Sequence, residues 1–303
     1  MHVRYPTALL AACFLVVTSA TPVRADIAPW AVPSGSGPQV QRAGKPTPIK
    51  DVQMARELVR VALHSAPEGP FSVVDATFWL RRVGPGQPSL RLAFPGEGVD
   101  VGGGRVHSKL HGFQAFVDGL PVAVDEAVVE EKTQAGPPGR TYGRTRREQW
   151  HRFAVTVPAA KQGAVGKDVV VRVRYAVAAD RYGTVEGVAP HALAGYILHT
   201  GGLWAGVIDE AVIEVVGVGV DIATVSARNQ NQPSPSFVSL TPGATPPPVR
   251  PAGAVIDNGV LRWILRSLEP VAADDLDFIF AAPAAGFADD RLLPVMAAAA
   301  RMP

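Results

Sequence analysis

The segment Tyr196-Ile197-Leu198-His199-Thr200-Gly201-Gly202-Leu203-Trp204-Ala205-Gly206-Val207-Ile208 joins two apolar runs through glycines set around one indole. Tyr196 and Trp204 offer a flat aromatic surface on which a sugar or peptide could stack, with the glycines giving it room to approach. The same composition also serves as a plug for the end of a core, the glycines supplying unusual backbone angles. A second group is cationic: Arg140, Arg144, Arg146, Arg147 and Arg152, interleaved with Tyr142 and Trp150. Guanidinium forks match phosphate and carboxylate geometry, which suits an acidic partner or a phosphorylated surface polymer. Asp125, Glu126, Glu130 and Glu131 precede this run and can balance it as a solvated loop. The candidate ligand contacts are therefore Trp204, Tyr196, Trp150, Arg144, Arg146 and Arg147.

Other reactive types do not assemble into a motif. His107 and His111 would share one face of a strand, as the start of a metal site needs, but no HExxH surrounds them and Gly102-Gly103-Gly104 beside them reads as a loop. Asp274-Asp275 and Asp289-Asp290 are neighbours in sequence, so on a strand each pair splits between two faces, a poor geometry for a paired acid and base. Gly-x-Ser-x-Gly, Ser-x-x-Lys and Gly-x-x-x-x-Gly-Lys occur nowhere in the chain. No catalytic residue, metal or cofactor is assigned.

The elements that must position these residues read as strands. Glu57 to His64 alternates Val59, Val61 and Leu63 with Arg60 and Ala62, and Phe71 to Arg82 repeats that period of two. Leu90, Leu92 and Phe94 resume it before Pro95-Gly96. Asp118-Gly119 between apolar runs predicts a type I′ hairpin, since both positions need positive φ. Further strands are predicted from Trp150 to Val157, Asp168 to Tyr175, Ala211 to Val216, Val260 to Leu265 and Leu276 to Phe280. Strand follows strand with no amphipathic helix between, which argues an all-β antiparallel sandwich, either one or two packed Ig-like ones.

The organisation expected along the chain is a signal peptide over 1–25, a flexible arm over 26–49, a β-sandwich region over 50–283 and an Ala-rich tail over 284–303 with at most one short helix. Within the sandwich region, 226–253 reads as a Pro-rich loop with a short edge strand at Phe237 to Leu240. The leader has a basic start, an apolar run from Ala8 to Val17 and a small-x-small site at Val23-Arg24-Ala25. Its run is too short to span a bilayer, which takes about 20 residues. Leu10-Ala11-Ala12-Cys13 has lipobox spacing, but the apolar run continues past the cysteine, where a lipidated one should end it.

Cleavage at that site also removes Arg4, Arg24 and Cys13. The basic count then falls from 29 to 27, equal to the 27 acidic residues, so the pI carries no suggestion of nucleic acid. A cysteine-free mature chain bound for an oxidising compartment has to be stabilised by packing. With 303 residues, 47% hydrophobic, the chain can bury a sizeable core.

Taken in order, several short motifs form a resemblance. They are an early Glu57-Leu58-Val59-x-Val61, Leu92-Ala93-Phe94-Pro95, Phe113-x-x-x-Val117-Asp118-Gly119, Trp150 opening a strand, and Val171-x-Val173-x-Tyr175. Tyr196-Ile197-Leu198-x-Thr200-Gly201, Trp204-x-Gly206-x-Ile208 and Leu268-Glu269-Pro270 with Asp274-Asp275 complete the set. Over roughly 54–280 the chain resembles a group of exported bacterial β-rich proteins of unknown function. The resemblance implies an extracytoplasmic all-β domain and brings no catalytic residue with it.

The expectation is a periplasmic or secreted, non-enzymatic β-sandwich that binds an envelope protein or a surface polymer, with no nucleic-acid partner and no transmembrane segment after the leader. The alternative is a secreted hydrolase of cell-wall or glycan polymers that draws a carboxylate pair from distant strands. The mature protein should begin at Asp26, as N-terminal sequencing of exported material will show. A diacylglyceryl-Cys13 start would contradict this.

Overall fold

The computed structural model describes residues 34–36, 39–42, 45–46, 48–85, 89–101, 104–107, 109–134, 143–159, 167–182, 191–229, 253–271, 274–282 and 289–302. The first strands in the chain are β1 (Ser34–Ser36), β2 (Gln39–Arg42), β3 (Lys45–Pro46), β4 (Val52–Ala66), β5 (Gly69–Arg82), β6 (Ser89–Val101), β7 (Gly104–His107), β8 (Leu110–Val117), β9 (Leu120–Pro121) and β10 (Asp125–Gln134). They are followed by β11 (Gly143–Thr156), β12 (Val169–Ala178), β13 (Asp180–Tyr182), β14 (His191–Ile197), β15 (Ile208–Val218), β16 (Ser226–Asn229), β17 (Val255–Asp257), β18 (Val260–Leu268) and β19 (Leu276–Ala281). Short 3-10 turns lie at His199–Leu203 and Ile222–Thr224, and a helix, α1, runs over Asp289–Arg301.

Eight strands form the main sheet, in the order β17-β18-β15-β4-β5-β12-β8-β9. Two smaller sheets, β1-β14-β19-β16 with β13, and β10-β11-β6-β2-β3 with β7, pack on its inner face. The period of two read in the sequence sets that inner face. Val59, Val61 and Leu63 of β4, Val74, Ala76, Phe78 and Leu80 of β5, and Val171, Val173 and Tyr175 of β12 are all buried there. Phe94 of β6 meets Phe78 and Phe113 at 6.2 and 5.4 Å, and Phe278 of β19 meets Trp263 of β18 at 6.3 Å. Each small sheet is thus held to the large one through aromatic contacts.

The protein is mostly β, as its composition implied, but the main sheet is mixed rather than antiparallel. β15 runs parallel to β4, from Glu210 opposite Arg56 to Val218 opposite His64. Alternation of apolar residues is the same for either direction, and a parallel neighbour has to arrive by a long crossover, so local pattern reading favours hairpins. The Asp118-Gly119 turn matches expectation: φ is 48° and 82°, with Val117 opposite Leu120. Asp118 also receives the Val170 N–H at 2.9 Å, which ties the hairpin to β12.

Three further stretches differ from the sequence reading. Residues 26–49, expected as a flexible arm, contain β1 on β14 and β2 on β6; short edge pairs need only backbone groups and leave no side-chain period. The two ends of the charged run, up to Gln134 and from Gly143, are a ladder rather than a loop, with Glu130 opposite Arg147 and Glu131 opposite Arg146 on β10 and β11, and residues 135–142 between them lie outside the described residues. Ser226–Asn229, the start of the expected Pro-rich loop, pairs with β19, while the edge strand expected at Phe237 to Leu240 lies outside the described residues.

The Ala-rich tail carries α1, whose Leu292, Met296, Ala299 and Ala300 bury against Phe71, Val73 and Ala176 on the outer face of the main sheet. Their spacing of four, three and one is a helical seam that the many alanines disguise. Arg174 Nη2 donates to Ala299 O at 3.3 Å, placing a cation at the helix C-terminus. Gly112 permits this contact, because its φ is +63° and a Cβ there would lie 2.9 Å from Ala300 Cβ. Gly112→Ala should cost about 1–3 kcal/mol from left-handed strain and overpacking. Denaturant midpoints will measure it, and adding Ala300→Gly should restore only the steric part.

Candidate functional site

Among the described residues, one concentration of polar chemistry lies inside the sandwich and another on the outer face of the main sheet. The inner one begins at Glu57, which falls on the core face of β4 between Phe78 of β5 and Ala211 of β15. A bulge between Met54 and Arg56 sets the parity that turns Glu57 inward. Tyr196 of β14 donates its hydroxyl to Glu57 Oε1 at 2.7 Å, so a side-chain hydrogen bond joins the large sheet to the small one. Asp275 accepts the Leu198 N–H at 2.8 Å just beyond, and Glu57, Asp275 and Asp277 are all buried.

Burial raises the Glu57 carboxyl to about 7 against the opposing pull of the Tyr196 hydrogen bond. Burial likewise raises the Tyr196 hydroxyl well above its ordinary value, helped by the Glu57 charge, by Tyr175 and by Asp275. Tyr196 is therefore a donor, and Glu57 holds a proton through mildly acidic conditions. Glu57, Asp275 and Asp277 are 3% exposed or less, so among the described residues their surroundings are protein.

The aromatic residues nominated from sequence also lie inside. Trp204, Tyr196 and Trp150 are each 5% exposed or less, so their contacts are with the core. Gly201 and Gly202 are required by close packing: a Cβ at Gly201 would meet Ile208 Cδ1 at 2.8 Å and Pro270 Cγ at 2.9 Å, and one at Gly202 would meet Pro270 O at 2.8 Å. The Trp204 turn is fastened to the start of β4 by Ala205 N–H to Val52 O at 3.0 Å and by Ile49 N–H to Leu203 O at 2.7 Å. Arg144, Arg146 and Arg147 lie along β11, in a different sheet from Tyr196 of β14, and their side chains are outside the described residues. Arg152 of the same run is paired with Asp125 at 2.7 Å. Asp274 builds its own turn by accepting the Val271 N–H at 2.8 Å, while Asp275 turns inward. His111 is on β8, and the His107 side chain is not among those described.

The outer face of the main sheet was not legible from any single segment. Register across four strands, β18, β15, β4 and β5, aligns its side chains in rows. One row is Arg266, Glu210, Arg56 and Trp79; the next is Ile264, Val212, Leu58 and Thr77; the third is Arg262, Glu214, Arg60 and Asp75. An apolar stripe thus runs between two charged rows. Glu214 is clasped by Arg60 Nε at 2.8 Å and by Arg262 Nη2 at 2.9 Å, and Arg266 reaches Glu210 at 3.2 Å. The Arg56 guanidinium lies 4.5 Å from the Trp79 ring centroid. The cations are the outward members: Arg60 and Arg266 are 63% and 74% exposed, against 13% for Glu214 and 37% for Glu210. Exposed pairs of this kind contribute about 0–1 kcal/mol each, so what they chiefly set is the chemistry presented to solvent.

No family model matches the chain, and no curated protein matches it. Among solved structures, yeast LTA4 hydrolase in complex with bestatin aligns at TM-score 0.33 and 7% identity, over 80% of this chain and 31% of that one. Legionella pneumophila aminopeptidase A in complex with aspartic acid aligns at TM-score 0.34 and 10% identity, over 80% of this chain and 23% of that one. The chain spans less than a third of the length of either protein, and likeness at these scores assigns neither fold nor activity.

Two measurements follow from the buried groups. Trp204→Ala should lower stability by about 3–5 kcal/mol, as removal of a core aromatic does, whereas a surface indole would cost less than about 0.5. For Glu57, the native carboxyl keeps a proton that the unfolded chain releases between its ordinary value of 4.5 and about 7. Stability should therefore fall, by roughly 3 kcal/mol, as pH rises through that window, and stay level with respect to this group above it. Glu57→Gln should abolish that slope in urea titrations at stepped pH. A variant that keeps it would place the titration elsewhere.

Proposed function

We propose that this chain is an exported, non-enzymatic β-module of the cell envelope or medium, which binds an envelope protein or a surface polymer through the part of the main sheet's outer face that no described element covers. The observation that carries this reading is the layout of that face. Ile264 is 53% exposed, Leu58, Val212 and Thr77 beside it are half-buried, and Arg60 and Arg266 of the flanking rows reach solvent, while α1 covers the adjoining part of the same sheet. A hydrophobic strip rimmed by charge is the arrangement of a contact surface. What supports the export reading is sequence pattern alone: the basic start, the apolar run from Ala8 to Val17 and the small-x-small site at Val23-Arg24-Ala25. For the architecture we propose one sandwich rather than two Ig-like ones, a reading supported by the single buried cluster that takes in residues of all three sheets.

The test is co-sedimentation of the mature protein with a bacterial envelope fraction. Ile264→Asp should reduce the bound fraction at least about fivefold, the size of loss expected when about 1 kcal/mol of interface energy is removed. Leu120→Asp, at an exposed site at the start of β9, should leave it unchanged. Equal binding by wild type and Ile264→Asp would refute the assignment of this face.

A further inference from the structure

The open face is specific enough in its dimensions and charge to name the kind of partner it fits, a step that rests on the reading of that face as a contact surface. The apolar stripe of Ile264, Val212, Leu58 and Thr77 crosses four adjacent strands, β18, β15, β4 and β5. At about 4.8 Å per strand it is ~14 Å long, the length of roughly nine or ten helical residues. The two charged rows stand four residues apart along β4, at Arg56 and Arg60, with Leu58 midway. That separation is ~13 Å, close to the ~10–12 Å diameter of a helix with its side chains. The same sheet face already carries a helix on its other part, where α1 buries Leu292, Met296 and Ala299.

We propose that the open part of this face docks an amphipathic helix from a partner protein, about ten residues long at the contact, with an apolar seam flanked on both sides by carboxylates. The seam lies on Ile264, Val212 and Leu58. The flanking carboxylates meet Arg266 and Arg56 on one side and Arg262 and Arg60 on the other. Charge complementarity selects an acidic helix over a basic one, because each row carries two arginines for one Glu across β18, β15 and β4, and the arginines are its outward members. Asp75, the further carboxylate at the end of the Arg60 row, is engaged by Arg172 Nε at 2.8 Å.

The test uses a library of 14-residue helical peptides with a fixed leucine seam and with the flanking positions varied among Glu, Gln and Lys, selected on the immobilised mature protein. Glu should be enriched at least tenfold over Lys at the flanks. Arg266→Glu should erase or reverse that preference at the flank facing its row, and Ile264→Asp should abolish selection. The selected acidic peptide should also displace the protein from the envelope fraction. Selection of Lys, no flank preference, or selection unaffected by Ile264→Asp would overturn the proposal. If envelope binding is lost in Ile264→Asp while acidic peptides neither bind nor compete, the contact face stands and the helical partner is refuted. If Ile264→Asp leaves envelope binding intact, the face itself is refuted, and the proposal falls with it.

Discussion

A strand sends successive side chains to opposite faces, and the eight-stranded sheet is where this constraint governs the whole chain. β4 shows it most directly. Its inward residues Glu57, Val59, Val61 and Leu63 build the core, and its outward residues Arg56, Leu58 and Arg60 build the exposed rows. The two faces cannot be altered independently of register, since a slip of one residue would bury Arg60 and expose Val59. Devices that pin register therefore matter beyond their own energy. They include the bulge between Met54 and Arg56, the Asp118-Gly119 turn and the ion pair of Arg81 Nε with Asp168 at 2.7 Å, each acting on a strand that contributes to both faces.

The buried Glu57–Tyr196 pair sits awkwardly in an otherwise apolar layer, and such pairs are weak evidence for stability. Its location suggests a different value. A carboxyl that finds a donor only when β14 lies in one position over β4 penalises other placements of the small sheet, whereas interchangeable Val and Ala contacts discriminate less well. The Asp275 carboxylate receiving the Leu198 N–H extends the same restriction to the turn that leads into Trp204.

Much of the fold was legible from local pattern. The strands around Val59, Val74, Val173 and Ile213 followed from alternation, and the Asp118-Gly119 turn from its positive φ requirement. The equivalent Asn258-Gly259 turn, with φ of 49° and 75° between β17 and β18, carried the same signal and was available to the same argument. Parallel pairing of β15 with β4 was not readable, because it depends on segments far apart in sequence with identical alternation. The α1 seam was obscured because alanine reads equally as tail or core.

The candidate site divides in the same way. Tyr196 and Trp204 were conspicuous as aromatics beside glycines, yet the glycines record close packing by Ile208 and Pro270 rather than room for a ligand. The open face had no sequence signature, since Ile264, Val212, Leu58 and Thr77 become neighbours only through register across four strands. The central claim, that one face of this sheet is core and that the other is the contact surface we propose, can be measured by hydroxyl-radical footprinting of the protein with and without envelope material. Leu58, Trp79 and Ile264 should lose reactivity on binding while exposed Leu120 and Met302 keep theirs; protection of Leu120 and Met302 with the sheet face unchanged would contradict it.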